Sequence, residues 1–588
     1  MTTRWGRELD PDAPLPEHPR PQLERPSWSS LNGRWEHAFT ASGERPAAYD
    51  GPITVPFSPE APLSGVERQL QPDEWLWYRR TFPTPPVVDG GRVLLHLGAV
   101  DQSCTVWVDG HEVGGHTGGY LPFTLDVTDA LAARRHDATA EHVLEVRVRD
   151  LSDTSWHARG KQKLRRGNIW YTAQSGIWQT VWLEWVPPRH VERLVLVPHL
   201  DAGALEVTVH AQGGHRGATA TVVVRSGEQE VGRAEVAPGV ATRVALAQVR
   251  PWSPEDPHLY DLEVTFGEDR VTSYAGLRSV AVGTDARGHR RLLLNGAPYP
   301  HVGVLDQGYW PDGLLTPPGD AAMVHDITSM KDLGFTVLRK HAKLEPARWY
   351  AHCDRIGVLV WQDVVNGGTT YRGITTRRPA SRLPPVPDRL FPVYGRGHRA
   401  GRAEFLSEVE ATVATLGNAP SVVVWTPFNE GWGQFSSRAV ARLVRRLDPT
   451  RLVMATSGWV DHGGGDLRSF HRYGKPFRMP AHRGGRRAVV LSEYGGYSHR
   501  VEDHQWGPRM FGYRKFKVRK RLQRAFVQLH DALVTEAARG LSATVYTQLS
   551  DVEDELNGLW TYDREVLKLD AEVVREVTAR LRAAMTAG

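Results

Sequence analysis

Residues 404–430 read EFLSEVEATVATLGNAPSVVVWTPFNE. A helix candidate, EFLSEVEATVATLG, leads through a short turn into an apolar, β-rich run that ends on Asn429 and Glu430. The same grammar repeats on both sides. DAAMVHDITSMKDLG (320–334) places Met323, Ile327, Met330 and Leu333 on one helical face, with Gly334 where helices commonly terminate. FTVLRKH follows as a strand, EPARWYAHCDRIG as a helix and VLVWQD as a strand. Beyond Glu430, SSRAVARLVRRL leads into RLVMATSG; LRSFH and AVVLSE follow, then RLQRAFVQLHDALVTEAARG into LSATVYTQLS and a last helix over about 568–586. With PHVGVL at the start, this makes eight strand candidates alternating with helices, the pattern of a (β/α)8 barrel. Glu430 ends the fourth strand and Glu493, in AVVLSEYGG, the seventh.

Carboxylates at the C-terminal ends of barrel strands stand where that fold presents its chemistry. Two of them suit cleavage of a glycosidic bond: one protonates the leaving oxygen and the other attacks or activates water. Further polar and aromatic residues end the other strands. Asp306, Tyr309 and Trp310 follow the first, to bind hydroxyls and wall a pocket or simply to pack a loop. Trp361 and Asp363 end the third with the same two readings. His471 follows the sixth, as a ligand or as a structural histidine. Trp560 follows the eighth, as a stacking platform for a sugar or as a loop anchor. The acids beside it, Asp551, Glu553, Asp554 and Glu555, lack the spacing of a calcium loop, so no metal is expected. The proline-bearing connection from Asn366 to about Arg399 has no strong helix signal. A structureless stretch of this length suggests a wall or lid over the site, with disorder without function as the alternative.

Upstream of the barrel the period changes from helical to alternating. After a proline-rich lead of about 30 residues that wraps a surface come short strand candidates at 75–82, 91–100, 103–110 and 142–150, closed by GIWQTVWLEWV (176–186). They read as an all-β sandwich, with a tight hairpin at Asp109-Gly110 followed by a glycine-rich turn. From His190 to about Val282, six or seven cleanly alternating strands fit a small Greek-key sandwich that carries no cluster of acidic, histidine or thiol groups. The expected domains are 1–187, 188–285 and 286–588.

Composition narrows the functional class. The net charge of +5 is a small difference between 72 basic and 67 acidic residues, which does not define a nucleic-acid protein. The densest basic run, RKFKVRKRLQR (514–524), reads as a solvated helix face. Twenty tryptophans lean toward carbohydrate, since exposed indoles suit the apolar faces of sugar rings. Cys104 and Cys353 lie inside apolar runs and read as buried thiols. Neither a signal sequence nor an 18-residue apolar stretch is apparent, so a soluble cytoplasmic protein is expected.

The residues also carry a family resemblance. VWVDGHEVGGHTGGYLPF is similar to the sugar-binding domain signature of glycoside hydrolase family 2, the β-galactosidase, β-glucuronidase and β-mannosidase group. GIWQTVWLE resembles the strand that leaves that domain, LLLNGAPY the lead-in to the barrel, PFNEGWGQF the acid/base motif and VVLSEYGG the nucleophile motif. The resemblance implies a jelly-roll sugar-binding-like sandwich, an immunoglobulin-like β-sandwich and a catalytic barrel. It implies Glu430 as general acid/base, Glu493 as nucleophile, Asn429 on the sugar 2-hydroxyl, and Arg339 and His341 in the sugar pocket. RKHAKLEP (339–346) departs from the histidine-tyrosine-proline sequence of many members. NGLW (557–560) stands where an asparagine–lysine pair reads a uronate, which argues against a uronic acid substrate. The implied activity is that of a retaining exo-β-glycosidase acting on terminal β-linked sugars, β-galactosidase-like in the first instance. The alternatives are a mannoside, arabinoside or glucuronide specificity, or a non-catalytic carbohydrate-binding protein. No cofactor is implied. The expected partner is a glycoside or oligosaccharide, with homo-oligomers allowed and neither nucleic acid nor membrane involved. Glu430 is expected to have the higher pKa of the pair because Glu493 resists a second negative charge.

Overall fold

The computed structural model describes the chain except residues 87, 133–138, 140, 215–216, 372–385, 481–484 and 587–588. Its first unit is a sandwich of a six-stranded and a four-stranded antiparallel sheet. Alternation builds it: in Ser103–Val108, Cys104, Val106 and Val108 point into the core and their neighbours point out. Three strands, Trp28–Ser30, Gly33–Thr40 and Gly51–Val55, precede the first strand expected from sequence. The glycine-rich turn expected after Asp109-Gly110 is instead a strand, His111–Thr117, paired with Ser103–Val108. Both hairpin residues hold positive φ, 49° and 80°, as a tight two-residue turn requires. Glycine fits this edge strand because a Cβ on Gly115 would sit 2.4 Å from the Cys104 carbonyl.

The second unit packs a three-stranded sheet (His190–His199, Ala204–Gln212, Thr242–Ala245) on a four-stranded one. Along Tyr260–Phe266, Tyr260, Leu262, Val264 and Phe266 face the core. Gln229–Val236 forms an edge of the four-stranded sheet. A small three-stranded sheet spanning Val280–Pro298 then sends Leu292 and Leu294 into the apolar layer inside the barrel.

The barrel strands are β1 His301–Asp306, β2 Val337–Lys340, β3 Leu359–Asp363, β4 Val422–Thr426, β5 Leu452–Val453, β6 Leu467–Tyr473, β7 Ala488–Gly495 and β8 Leu541–Thr547. They run parallel in the order β5-β4-β3-β2-β1-β8-β7-β6. Most are buried on both faces, which is why they read as continuous apolar runs. Among the described residues no ladder joins β5 to β6, and β5 has two residues. Helices Asp320–Asp332, Ala347–Ile356, Arg399–Leu416, Ser437–Leu447, Arg519–Ala537 and Ala571–Thr586 follow β1, β2, β3, β4, β7 and β8. The connections after β5 and β6 carry none among the described residues. The basic run at 514–524 forms a short strand and the exposed start of the helix after β7. Cys104 and Cys353 are free and buried. No helix of the described residues is long and apolar enough to cross a membrane.

The N-terminal segment joins all three units. Thr3 donates from its amide and hydroxyl to Asp312 Oδ2, both at 2.7 Å, in the loop after β1. Asn32 in the first sandwich donates to the Pro14 carbonyl at 3.1 Å. Leu23 lies in the second sandwich's core, and Glu24 bridges Thr272 there.

Candidate active site

The site is assembled where β2, β3, β4, β6 and β7 end. Just past β4 the chain turns sharply: Glu430 adopts φ 50°, a left-handed conformation uncommon for a side-chain-bearing residue, and its amide donates to the Ser457 carbonyl at 2.8 Å. Gly431 and Gly433, at φ 77° and 57°, continue the turn. Glu430 is thereby brought across to β6, where His471 Nδ1 stands 2.7 Å from its Oε1. Ser457 lies 2.7 Å from the other ring nitrogen. Nδ1 thus faces Glu430 and Nε2 faces the Ser457 hydroxyl, so one ring orients the carboxyl from β6.

A register slip between β6 and β7 sets the second carboxylate. Phe470 pairs with Leu491 but His471 pairs with Glu493, leaving Ser492 as the extra residue. Such a bulge re-aims side chains at the end of a ladder. Glu493 Oε1 accepts from Arg339 Nη1 at 2.9 Å, and Oε2 accepts from the Tyr473 hydroxyl at 2.6 Å. Arg339, fully buried on β2, also forks onto Asp363 at 3.2 and 2.7 Å and donates to Asn429 Oδ1 at 3.0 Å. Asp363 in turn lies 2.6 Å from His341 Nδ1. Arg339 fixes the orientation of the Asn429 amide through Oδ1, and its buried Nδ2 has no partner among the described residues, a donor ready for a ligand.

The two glutamates sit in opposite electrostatic surroundings. Burial pushes Glu430 above the ordinary glutamate range; His471 opposes this and Glu493 adds to it. Burial alone would also raise Glu493, but His471, Arg339, His341 and Lys161 outweigh it and hold the carboxyl at about 2. The direction expected for Glu430 is present, with desolvation ahead of the neighbouring charge as its largest cause.

Arg339, His341, Asp363, Asn429, Glu430, His471 and Glu493 thus share one hydrogen-bonded network. The other sequence candidates lie outside it. Asp306 is paired with Lys340 at 2.6 Å and caps the Gly308 amide. Tyr309 packs on Tyr171, and Trp310 against Trp5 and the Arg564 guanidinium. Trp361 turns into the barrel interior and donates to His301. Trp560 packs edge-on against His325. Trp361 and Asp363, two positions apart, share the inner face of β3, but Trp361 sits deeper, in the apolar layer of the barrel interior, while Asp363 reaches Arg339 at the strand's end.

Residues not singled out from sequence complete the site. Tyr473 lies two positions after His471, a spacing that keeps both on one face of β6. A cavity of about 550 Å³ opens over Glu430, walled by Tyr371, Trp432, Trp459 and Tyr513 of the barrel and by Asp153, Arg159, Lys163 and Trp170 of the first sandwich. Thr369, Thr370 and Tyr371 come from the connection expected to be a wall or lid; residues 372–385 of it lie outside the described residues. A second cavity of about 450 Å³ lies at the junction of the three units, away from the carboxylates.

Residues 60–178 match the profile of the glycosyl hydrolase 2 galactose-binding domain-like unit, 189–278 that of glycosyl hydrolases family 2, and 319–565 that of the family 2 TIM barrel domain. Among curated relatives, a putative beta-glucuronidase of Formosa agariphila is 25% identical over 427 residues, covering 68% of this chain and 37% of its own length. A beta-galactosidase of Aeromonas hydrophila is 27% identical over 482 residues, covering 74% of this chain and 43% of its own. The chain therefore spans less than half the length of these relatives. Among solved structures, the beta-D-glucuronidase of Dictyoglomus thermophilum superposes with a TM-score of 0.74 at 18% identity over 96% of this chain and 98% of that one. The beta-galacturonidase of Eisenbergiella tayi, bound to galacturonate, gives 0.71 at 18% identity over 95% and 99%. At these identities the superpositions speak for the shared fold. With three ordered profile matches on the architecture described above, the chain belongs to glycoside hydrolase family 2.

Proposed function

We propose that this chain is a retaining exo-β-glycosidase that hydrolyses terminal, non-reducing β-linked sugars. The observation that carries the reading is the proximity of the two glutamates: one carboxylate oxygen of Glu430 lies within 4.8 Å of one of Glu493. Retaining enzymes hold their carboxyl groups about 5–5.5 Å apart, whereas inverting ones leave roughly 6.5–9.5 Å for a water. Glu493, ionised and held by Arg339 and Tyr473, attacks the anomeric carbon. Glu430, kept protonated by burial, gives its proton to the departing oxygen. Once Glu493 is esterified its charge is gone, and Glu430 takes a proton from the water that hydrolyses the glycosyl-enzyme. Asn429 Nδ2 is the donor to the sugar's 2-hydroxyl, where a hydrogen bond strengthens as charge develops.

Lys568, the lysine that follows β8, is spent on Asp551 at 2.5 Å, which supports a neutral terminal sugar of the β-galactoside kind over a uronic acid. The test is a panel of aryl β-galactoside, β-mannoside, β-glucuronide and α-arabinoside substrates, with NMR of the first-formed anomer. The expected outcome is turnover of the galactoside with β-anomer appearing first. An α-anomer would overturn retention, and a preferred glucuronide would overturn the sugar assignment.

A further inference from the structure

Lys161 is 7% exposed, and neither a carboxylate nor a hydrogen-bond acceptor among the described residues engages its ammonium. Its Nζ stands over two rings instead, 5.4 Å from the centroid of Tyr171 and 6.0 Å from that of Trp432. A buried ammonium without a direct ion pair carries a desolvation cost that ring faces offset only in part. Its charge favours the ionised forms of Glu430 and Glu493, and the Trp432 ring it faces follows Glu430 by two residues. The next alternate residue, Lys163, stands 4.5 Å over Trp170, whose ring centroid is 5.1 Å from that of Trp432. Lys163 and Trp170 line both the cavity over Glu430 and a neighbouring one of about 520 Å³ that continues outward past Arg165, Arg166 and Arg509. Of these, Arg166 is paired with Glu553 and Asp554 at 3.4 and 3.3 Å, and Asp153 caps the Leu164 amide. Lys161, Lys163, Arg165 and Arg509 form no ion pair within 4 Å among the described residues, and Lys163 lies in the field of both Asp153 and Arg159.

We propose that the segment Arg159–Trp170 of the first sandwich builds a leaving-group subsite for an anionic aglycone, a sugar or aromatic ring that bears a carboxylate or sulfate and stacks on the Trp170–Trp432 indoles. The inference rests on the glycosidase reading. It places the anion on the departing side because the indoles and cations wall the cavity over Glu430, the group that protonates the leaving oxygen. Lys163 supplies positive charge at the cavity wall, Arg165 continues it outward, and the buried Lys161 adds its charge over the Tyr171 and Trp432 rings.

The test compares aryl β-glycosides of one terminal sugar whose phenols have matched acidity and are neutral, carboxylate-bearing or sulfonate-bearing. The expected kcat/KM ratio of anionic to neutral substrate is about tenfold or more at low salt, falling as salt screens the cations. The ratio is expected to collapse toward one in Lys161→Gln and in the surface double variant Lys163→Gln/Arg165→Gln, which does not disturb the core. Which anion gains more tells carboxylate from sulfate. A wild-type ratio near one, or a ratio unchanged in both variants, overturns the proposal. An anionic preference confined to the terminal sugar overturns the leaving-group placement. If no glycoside turns over, the hydrolase reading fails; calorimetric binding of the same intact compounds then decides the subsite by the same ratios.

Discussion

Glu430 and Glu493 are chemically alike, and in the proposed mechanism their neighbours divide the work between them. Exchanging the roles would require Glu493 to hold a proton against Arg339 and Tyr473, which both donate to it. Glu493→Ala is therefore expected to abolish turnover of every substrate. Glu430→Ala should retain far more activity on aryl glycosides with good leaving groups, which need little protonation. Azide should rescue Glu430→Ala with a β-glycosyl azide product; an α-azide from that variant would exchange the two assignments. The pH profile follows from the same contrast. Glu493 has its pKa depressed to about 2, so it stays ionised above that pH. Glu430 has its pKa raised above 4.5, so its proton persists to higher pH than in an ordinary glutamate and is lost as pH rises through the raised value. The kcat/KM profile should thus show an alkaline limb from Glu430 and an acid limb near 2. In Glu430→Gln, measured with an activated aryl glycoside, the alkaline limb should disappear; its persistence would assign it to another group.

At the scale of elements, the ends of β6 and β7 act together. The slip that pairs His471 with Glu493 also lets Tyr473, two residues on, reach Glu493 Oε2 at 2.6 Å while stacking on Tyr513 at 3.7 Å between centroids. A hydrogen bond to an ionised group contributes about 1.5–3 kcal/mol. Tyr473→Phe keeps the stack and removes the donor, so kcat/KM is expected to fall by about tenfold to a hundredfold. The acid limb should move above 2, because the carboxylate has lost a partner of its charged form. A drop in activity with an unmoved acid limb would show that Tyr473 acts elsewhere than on Glu493.

Across the whole molecule, the three units are fastened by buried polar contacts. Arg278 donates to the carbonyls of Pro420, Thr450 and Val422 at the base of β4 and β5. Tyr274 and Trp252 reach Asp354 at 2.8 Å each, through its side chain and its carbonyl. Arg25, in the N-terminal segment, is 4% exposed and joins Glu184 of the first sandwich at 3.1 Å to Asp269 of the second at 2.9 Å. Removing one member of a buried ionic cluster costs about 3–5 kcal/mol, because the remaining charges stay buried without compensation. Arg25→Ala is expected to lower stability by that order and to split a single calorimetric transition into two. An unchanged single transition would mean that the N-terminal segment does not couple the sandwiches.

The alternation of β-rich and helical runs determined the barrel, and period-two patterning determined both sandwiches, because each arises from which faces of a local element must be buried. The two carboxylates proposed as catalytic stood out for a related reason: each follows an apolar run at the C-terminal side of a strand candidate, where a barrel presents its polar groups. The strands Gly33–Thr40 and Gly51–Val55 were less legible, since turn residues and exposed positions dilute their pattern. How deep along a strand a side chain sits in the barrel was beyond local reading. Trp361 and Asp363 follow one apolar run, yet one packs in the barrel interior and the other on Arg339. What only the tertiary structure decided is the surroundings of the carboxylates. Lys161, Lys163 and Trp170 lie more than 250 residues before Glu430 in the chain. They reach it because the first sandwich docks on the barrel's catalytic end, a contact between separately folded surfaces that leaves no period in either sequence.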